Sequence, residues 1–405
     1  MSFHYMGRGN GKSAKIEGGG MLIEKIALKN VLSFRDSCIE LGRLNILIGP
    51  NAAGKSNLFS AISLLQSAPS TILDAIIQGG GPAQWIWLGD GNVARQASIS
   101  CDLRLPVRGD ALSYHLQFGE DARGFLITRE GLNRRSDGTN GSHLVFQRTL
   151  QEVSLGIATN AGGATTEVPR SESFLALFRL PSDPTPITEV ARRFEAIRIY
   201  REFNTGPLSP IRTGAPTAVL TDYLSPTGDN LAMLLHNWDV EGTLAGLRRY
   251  ITRLNDRFGD PKARISGNSA QLTLRENGLS EPMVAARLSD GTLRFLCILA
   301  ALLTPTPPSL ICIEEPELGL HPDALSLVAE ALREASEKTQ VIVTTHSQAL
   351  VDEFSGSPES VLVCERDFDG GTQMKRLSSE QLQEWLEDYS LGELWRKGEI
   401  GGNRW

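Results

Sequence analysis

The chain has 405 residues, of which 41% are hydrophobic and 21% charged, so it can bury a sizeable core and is neither disordered nor fibrous. The net charge of −7 argues against a generally basic nucleic-acid-coating protein, although a local basic patch remains compatible with it. Because the five cysteines lie far apart and no apolar run could cross a bilayer, we expect a cytoplasmic protein without a disulfide framework, zinc site or membrane contact.

The composition changes along the chain divide it into four predicted parts. The first part is a polar, Gly-rich tail that we expect to be flexible, and the second combines strand patterns with one amphipathic helix. The third is mainly helical, and the fourth returns to alternating strands and helices. These parts are residues 1–20, 21–180, 181–304 and 305–405.

Hydrophobic periodicity predicts the elements within these parts. Three strand patterns lie within residues 23–48, and short alternating runs over 97–150 are typical of an antiparallel sheet. Residues 188–260 are predicted to be mostly helical, with a Pro- and Gly-rich interruption at 206–228. The last part has the order expected of an α/β fold. Its predicted elements are a helix at 291–303, a strand at 309–313, a helix at 322–337, and strands at 340–344 and 360–364.

A phosphate-binding pattern follows the third predicted strand. The phosphate loop (residues 49–56) has the sequence Gly-Pro-Asn-Ala-Ala-Gly-Lys-Ser, which matches G-x-x-x-x-G-K-[ST] and precedes a helical pattern. In this pattern backbone N–H groups surround the phosphates, Lys55 reaches the β- and γ-phosphates and the Ser56 hydroxyl binds Mg²⁺. The sequence therefore predicts an ATP and Mg²⁺ site. The predicted nucleotide contacts are Gly49, Asn51, Ala52, Ala53, Gly54, Lys55, Ser56 and Asn57.

Two later strand patterns end in residues suited to hydrolysis. The apolar run at 310–313 is followed by Glu314, which we assign to the Mg²⁺ site, and Glu315, which we assign as the general base. The apolar run at 341–343 leads to His346, whose neutral imidazole can hydrogen-bond a phosphate or the attacking water. Carboxyl ends of parallel strands share one crevice, so we expect these residues to meet the phosphate loop.

A fourth pattern precedes the apolar helix predicted at 291–303. The signature segment (residues 288–294) has the sequence Leu-Ser-Asp-Gly-Thr-Leu-Arg. Ser289 and Gly291 at a helix N-terminus offer a hydroxyl and free N–H groups to an anion. The alternative interpretation is that Ser289 or Asp290 is only the helix cap.

Taken together, these four motifs resemble an ABC-type ATPase head, and more narrowly the SMC, RecF and OLD-like group. The run from Glu314 to Pro322, Glu-Glu-Pro-Glu-Leu-Gly-Leu-His-Pro, favours that group over transporter subunits. The resemblance implies an α/β fold with a mainly parallel sheet around the phosphate loop, an antiparallel β subdomain and a helical lobe that carries the signature segment.

The resemblance also implies a homodimer with two ATP molecules held between the subunits. Ser289 and Gly291 would contact the γ-phosphate bound by the partner subunit's Lys55, and residues 317–322 would lie at the dimer seam. Glu315 would be the general base and His346 a switch histidine. Arg35 in Ser33-Phe34-Arg35 would lie near the adenine or ribose, and Gln84, or else Gln78, would be the Q-loop glutamine.

The sequence differs from the larger members of this group in two ways, and these differences determine which partners we expect. Heptad arms are absent, and the 40 residues after Glu365 are too few for a Toprim nuclease domain. We therefore expect a standalone head that couples ATP hydrolysis to DNA repair or anti-phage defence, with a separate Toprim-type or other nuclease chain or with DNA. The alternatives are an ATP-switched scaffold with little turnover and a transporter's ATP-binding subunit.

Three weaker patterns have competing interpretations. Two basic stretches could contact DNA phosphates or form solvated or packed helix faces. An acidic group near the last strand fits a solvated hairpin better than a metal site, and an alternating tryptophan pair fits strand packing better than nucleotide contact. The residues are Arg192, Arg193, Arg198, Arg201, Arg248, Arg249, Arg253, Arg257, Glu365, Asp367, Asp369, Trp85 and Trp87.

Overall fold

The computed structural model describes most of the chain. The predicted tail at 1–20 lies outside the described residues, as do several short stretches further on. The described ranges are 23–89, 96–105, 111–135, 142–150, 152–156, 168–178, 185–218 and 222–402.

The described residues form both strands and helices. The strands are β1 (Ile23–Val31), β2 (Phe34–Glu40), β3 (Leu44–Ile48), β4 (Gln96–Arg104), β5 (Ala111–Asp121), β6 (Gly124–Arg135), β7 (Ser142–Thr149), β8 (Val153–Leu155), β9 (Ile197–Tyr200), β10 (Ala215–Pro216), β11 (Phe258–Ser266), β12 (Ser269–Glu276), β13 (Met283–Val284), β14 (Leu310–Glu314), β15 (Gln340–Thr344), β16 (Val361–Arg366) and β17 (Thr372–Arg376). The helices are α1 (Lys55–Ser67), α2 (Ile72–Gln78), α3 (Pro82–Trp85), α4 (Phe174–Leu177), α5 (Pro186–Glu195), α6 (Pro210–Thr213), α7 (Leu231–Val240), α8 (Ala245–Leu254), α9 (Asp290–Leu302), α10 (Asp323–Lys338), α11 (Gln348–Asp352), α12 (Ser379–Asp388) and α13 (Leu391–Lys397).

A mainly parallel sheet forms the centre of the described fold. Its strand order is β17-β16-β3-β15-β14-β9, and only β17 runs antiparallel to its neighbour. The register pairs Glu314 with Thr344 and Thr344 with Leu47, so β14, β15 and β3 end at the same level. The predicted convergence of the three motif-bearing strands is confirmed.

An antiparallel sheet packs beside this centre. In the described part of the chain it has seven strands in the order β2-β1-β4-β5-β6-β7-β8. The predicted antiparallel sheet over 97–150 is therefore confirmed, and β1 and β2 extend it. A smaller sheet, β10-β12-β11 with β13 against β12, lies with α7 and α8 in the helical lobe.

The central sheet is buried on both faces because its strands are apolar at consecutive positions. Ile46 and Ile48 of β3 pack into a core with α7–α10, whereas Leu47 packs into a second core with α1 and the antiparallel sheet. Cys312 and Cys297 are fully buried, as their apolar surroundings predict. No helix in the described ranges is long and apolar enough to cross a membrane.

The sequence analysis missed one strand in the third part. Most of α5 and all of α7 and α8 lie in the stretch 188–260 outside the expected interruption at 206–228, but Ile197–Tyr200 form β9, which pairs in parallel with β14. The strand is only four residues long and follows α5 almost directly, so periodicity cannot separate it from the helix. Its pairing with a distant strand decides its conformation, and it brings Arg201 to the end of β14.

Candidate functional site

The phosphate loop connects β3 to α1 in a conformation that requires its glycines. Gly49 and Gly54 have φ angles of +148° and +112°. A Cβ on Gly49 would lie 2.2 Å from the Cys364 carbonyl oxygen, and one on Gly54 would lie 2.2 Å from Thr372 Oγ1. Both glycines therefore let the β16–β17 hairpin pack directly against the loop.

Lys55 begins α1 with its side chain folded onto the loop. Its Nζ donates to the carbonyl oxygens of Gly49 at 2.8 Å and Pro50 at 3.0 Å. Burial lowers the pKa of Lys55, while Cys364, Glu315 and Glu317 oppose that shift. The ammonium group is thus held within the loop by two weak acceptors that a phosphate can replace.

The hairpin fixes the outer side of the phosphate loop. Thr372 Oγ1 donates to the Ala53 carbonyl oxygen at 2.7 Å, and Arg366 Nε donates to that of Ala52 at 2.9 Å. Asn57 donates through Nδ2 to Ser33 Oγ at 2.8 Å, so the β1–β2 turn contacts the start of α1. Asn51 lies exposed on the loop.

Glu314 ends β14 beside two groups from other elements. It accepts a hydrogen bond from Arg201 Nη1 at 2.8 Å, and the Ser56 hydroxyl is near enough to favour its charged form. Burial raises the pKa of Glu314, against the opposing effects of Arg201 and Ser56. A hydroxyl and a carboxylate in contact are hard oxygen ligands, so Ser56 and Glu314 fit a Mg²⁺ ion.

Glu315 and His346 meet across the ends of β14 and β15. Glu315 Oε1 lies 3.6 Å from His346 Nε2. Glu315 has a φ of +45°, an uncommon conformation for a side chain of this size and typical of functional sites. Burial and the nearby Lys55 lower the pKa of His346 below its ordinary value of 6.5, so its imidazole is neutral at pH 7.

Glu317 is a residue that the sequence analysis placed only at the dimer seam. Its Oε1 accepts hydrogen bonds from Thr345 Oγ1 at 2.7 Å and from the backbone N–H groups of His346 at 2.7 Å and Ser347 at 3.1 Å. The carboxylate therefore fixes the backbone that carries His346. The position of Glu317 two residues after Glu315 is the sequence feature that could have indicated its place in the site.

The signature segment is built on Ser289 and Arg212. Ser289 Oγ accepts a hydrogen bond from the Thr292 N–H at 3.1 Å and so caps α9, as the alternative interpretation predicted. Arg212 pairs with Asp290 and is itself nearly buried. It donates to the carbonyl oxygens of Thr205, Ala285, Ala286 and Leu288, which fixes the turn before α9.

The signature segment does not meet the phosphate loop within one subunit. Ser289 is exposed, and a Cβ on Gly291 would lie 2.7 Å from the Gly319 carbonyl oxygen. Gly291 therefore packs against the segment 317–322. None of the described hydrogen bonds or ion pairs joins Ser289 or Gly291 to residues 49–56.

Other candidate residues have separate positions. Arg35 is exposed and pairs with Asp369 on the β16–β17 hairpin. Gln78 and Gln84, the Q-loop candidates, are exposed on α2 and α3, and no described hydrogen bond joins either to the phosphate loop. Arg201, after β9, is instead the side chain that reaches Glu314 and Ser60.

The basic stretches are largely occupied by contacts within the chain. Arg248 pairs with Asp260, and Arg249 and Arg253 pair with carboxylates of α10. Arg193 pairs with Glu189. The side chains of Arg248, Arg249 and Arg253 remain about half exposed, so they form a solvated helix face paired with carboxylates.

The remaining weak patterns behave as structural features. Among the described residues, no group of three or more His, Cys, Asp or Glu side chains could hold a metal ion, and Asp367 lies in the predicted hairpin. Trp85 is buried at the end of α3, a helix rather than the expected strand, and donates to the Ile76 carbonyl oxygen at 3.2 Å.

Comparisons with known sequences concern the family of the chain. A family model described as "AAA domain, putative AbiEii toxin, Type IV TA system" matches residues 44–352. The phosphate import ATP-binding protein PstB of Malacoplasma penetrans is 36% identical over 165 residues, 40% of this chain and 51% of that protein. The Old nuclease of Escherichia phage P2 is 28% identical over 177 residues, 40% of this chain and 30% of the nuclease. The chain thus spans about half or less of each relative.

Comparisons with solved structures concern the fold. The SmcHead bound to the C-winged helix domain of ScpA covers 89% of this chain and 99% of its own, with a TM-score of 0.54 and 13% identity. An Smc head with an extended coiled coil, bound to the C-terminal domain of ScpA and derived from Pyrococcus furiosus, covers 91% of this chain and 99% of its own. Its TM-score is 0.53 and its identity 14%. The fold of this chain is therefore similar to that of these Smc heads.

Proposed function

Because this chain belongs to the family described as "AAA domain, putative AbiEii toxin, Type IV TA system", and is an ABC-type ATPase of the SMC and OLD-like group, we propose that it binds and hydrolyses ATP. The observation that carries this proposal is the meeting of Lys55, Glu315 and His346 at the carboxyl ends of three neighbouring strands. We place this activity in the cytoplasm.

Binding of ATP begins with Lys55 and the phosphate loop. Lys55 exchanges the Gly49 and Pro50 carbonyl oxygens for the β- and γ-phosphates, and the N-terminus of α1 faces the same phosphates. Ser56 and Glu314 would hold a Mg²⁺ ion, which would neutralise charge on the phosphate oxygens. Arg201 neutralises Glu314 before the cation is bound.

Hydrolysis then depends on Glu315 and His346. The Glu315 carboxylate accepts a proton from the attacking water, and the neutral His346 imidazole hydrogen-bonds the water or the γ-phosphate. Glu317 holds the His346 backbone in place through its three hydrogen bonds. Glu315 therefore supplies general-base catalysis, and His346 orients the water or the γ-phosphate.

Dimerisation on ATP is the second part of the proposal. Ser289 and Leu318 lie exposed, Leu318 at 50%, and no described hydrogen bond or ion pair joins either residue to the phosphate loop of its own subunit. A second subunit would bring its phosphate loop to this face, so Ser289 and Gly291 would contact the γ-phosphate held by the partner subunit's Lys55. The bound nucleotide becomes part of the homodimer interface.

Coupling to an effector is the third part. The partial likeness to the Old nuclease supports a link to DNA repair or anti-phage defence through a separate Toprim-type or other nuclease chain, or through DNA. An ATP-switched scaffold with little turnover is the alternative. The likeness to the phosphate import protein favours a third function, a transporter's ATP-binding subunit. We rank this function below the others because the match to the Smc heads covers more of the chain than the match to the phosphate import protein. Membrane association of the protein on cell fractionation would reverse this ranking.

Lys55→Ala is expected to lower ATP affinity by about 10- to 100-fold and to stop measurable hydrolysis, because one hydrogen bond to a charged group is worth about 1.5–3 kcal/mol. Calorimetry with ATP and a phosphate-release assay measure the two effects. Lys25→Ala makes the same change at an exposed position of β1 and should leave both unchanged. Equal activity of Lys55→Ala and wild type would refute ATP hydrolysis at this site.

ATP is expected to convert the Glu315→Gln variant from monomer to dimer in light scattering, and the added change Ser289→Arg should prevent it by blocking the shared interface. Thr306→Arg, an exposed position between α9 and β14, is the matched control. Dimerisation that is independent of ATP or of Ser289 contradicts a homodimer that holds ATP between its subunits.

A pulldown with the tagged Glu315→Gln dimer in the presence of ATP tests the coupling to an effector. Recovery of a nuclease chain only with ATP supports the two-component system.

A further inference from the structure

The hairpin tip (residues 367–371) between β16 and β17 presents an aromatic side chain to solvent. Phe368 is 106% exposed, the highest value among the exposed large apolar side chains of the described residues. The turn that carries it is nevertheless well braced. The Gly371 N–H donates to Asp367 Oδ1 at 2.7 Å, and the Asp367 N–H donates to the Gly371 carbonyl oxygen at 2.8 Å. An ordered turn thus holds an unpacked ring.

The hairpin tip lies against the phosphate loop. Arg366 donates through Nε to the Ala52 carbonyl oxygen at 2.9 Å and through Nη1 to the Gly370 carbonyl oxygen at 3.4 Å, so one guanidinium joins the loop to the tip. Asp369 pairs with Arg35 on β2. Phe368 therefore lies between Asp367 and Asp369, whose contacts hold the hairpin tip beside the nucleotide site.

The sheet order determines which end of the nucleotide faces this tip. Glu315 and His346 lie at the ends of β14 and β15, on one side of β3, so the γ-phosphate faces that side. The strands β16 and β17 lie on the opposite side of β3. A nucleotide stretched along the phosphate loop must therefore direct its α-phosphate, sugar and base towards the hairpin tip.

We propose that Phe368 stacks on the base of the nucleotide bound at the phosphate loop of its own subunit. This inference rests on the proposed ATP binding and adds the group that recognises the nucleobase. A purine presents a large π-face, and stacking on an aromatic ring requires no hydrogen-bond readout. The pairing of Arg35 with Asp369 holds the tip at the position where the ring can cover the base.

Calorimetry with two probes tests this role. We expect Phe368→Ala to weaken binding of Mg²⁺-ATP by about 5- to 100-fold, the range that loss of one base–aromatic stack gives. Binding of inorganic tripolyphosphate, which has no base, should not change. Phe368→Trp should retain ATP binding because indole also stacks. Trp385→Ala, which removes another exposed aromatic side chain on α12, should affect neither ligand.

The outcomes separate this inference from ATP binding itself. Unchanged ATP affinity in Phe368→Ala, or an equal loss for ATP and tripolyphosphate, overturns the stacking role while wild-type ATP binding stands. Failure of the wild type to bind either probe overturns the proposed function instead. Lys55→Ala should weaken binding of both ligands, since the Lys55 ammonium group contacts phosphate rather than base.

Discussion

Glu315→Gln is expected to reduce the rate of ATP hydrolysis by about 10²–10⁴-fold, the usual effect of losing a general base, while ATP still binds. The amide has the shape of the carboxylate but cannot accept the proton of the attacking water. Lys55, Ser56 and Glu314, which we assign to the phosphates and Mg²⁺, are unchanged. Single-turnover hydrolysis and equilibrium ATP binding, measured on the same preparation, separate the two effects.

The local geometry makes this substitution informative. Glu315 has a positive φ and an N–H that donates to the Thr344 carbonyl oxygen at 2.9 Å, so its backbone is fixed by the neighbouring strand. Glutamine keeps these backbone contacts. Glu380→Gln makes the same chemical change on the exposed face of α12 and should hydrolyse ATP at the wild-type rate. A Glu315→Gln protein that hydrolyses ATP normally would remove Glu315 as the base.

The second large effect is expected on stability, from a charge buried in the antiparallel sheet. Glu130→Ala should lower the free energy of unfolding by about 3–5 kcal/mol, because it leaves the buried Arg148 without its charged partner. Glu130 also accepts hydrogen bonds from Tyr114 at 2.8 Å, Ser173 at 2.6 Å and the Phe174 N–H at 2.7 Å. The substitution leaves these donors unsatisfied as well.

Urea unfolding followed by circular dichroism measures this loss of stability. Glu120→Ala, at an exposed position of the neighbouring β5, is the control and should change the free energy of unfolding by no more than about 0.5 kcal/mol. If Glu130→Ala and Glu120→Ala unfold at the same urea concentration, the contacts of Glu130 with Arg148, Tyr114, Ser173 and Phe174 do not stabilise the sheet.

Burial raises the pKa of Glu130, and its hydrogen bonds and the nearby Arg148 oppose that shift.

The nucleotide motifs could be predicted because each is local. The phosphate loop needs only an apolar strand, eight consecutive residues of the required pattern and an amphipathic helix, all of which lie within residues 44–67. Glu315 and His346 each follow a short apolar run, and parallel strands bring their carboxyl ends together. Sequence spacing therefore determined the composition of the site and its position at one edge of the sheet.

The contacts that hold these motifs in place were decided by the tertiary structure. Arg201 reaches Glu314 across 113 residues because β9 pairs with β14, and Thr372 reaches the phosphate loop because β16 pairs with β3. Glu317 beneath His346 and Arg212 beneath the signature segment depend on similar long-range packing. Strand order and side-chain partners are set by the burial of whole faces against distant elements, and a local pattern of residues does not contain that information.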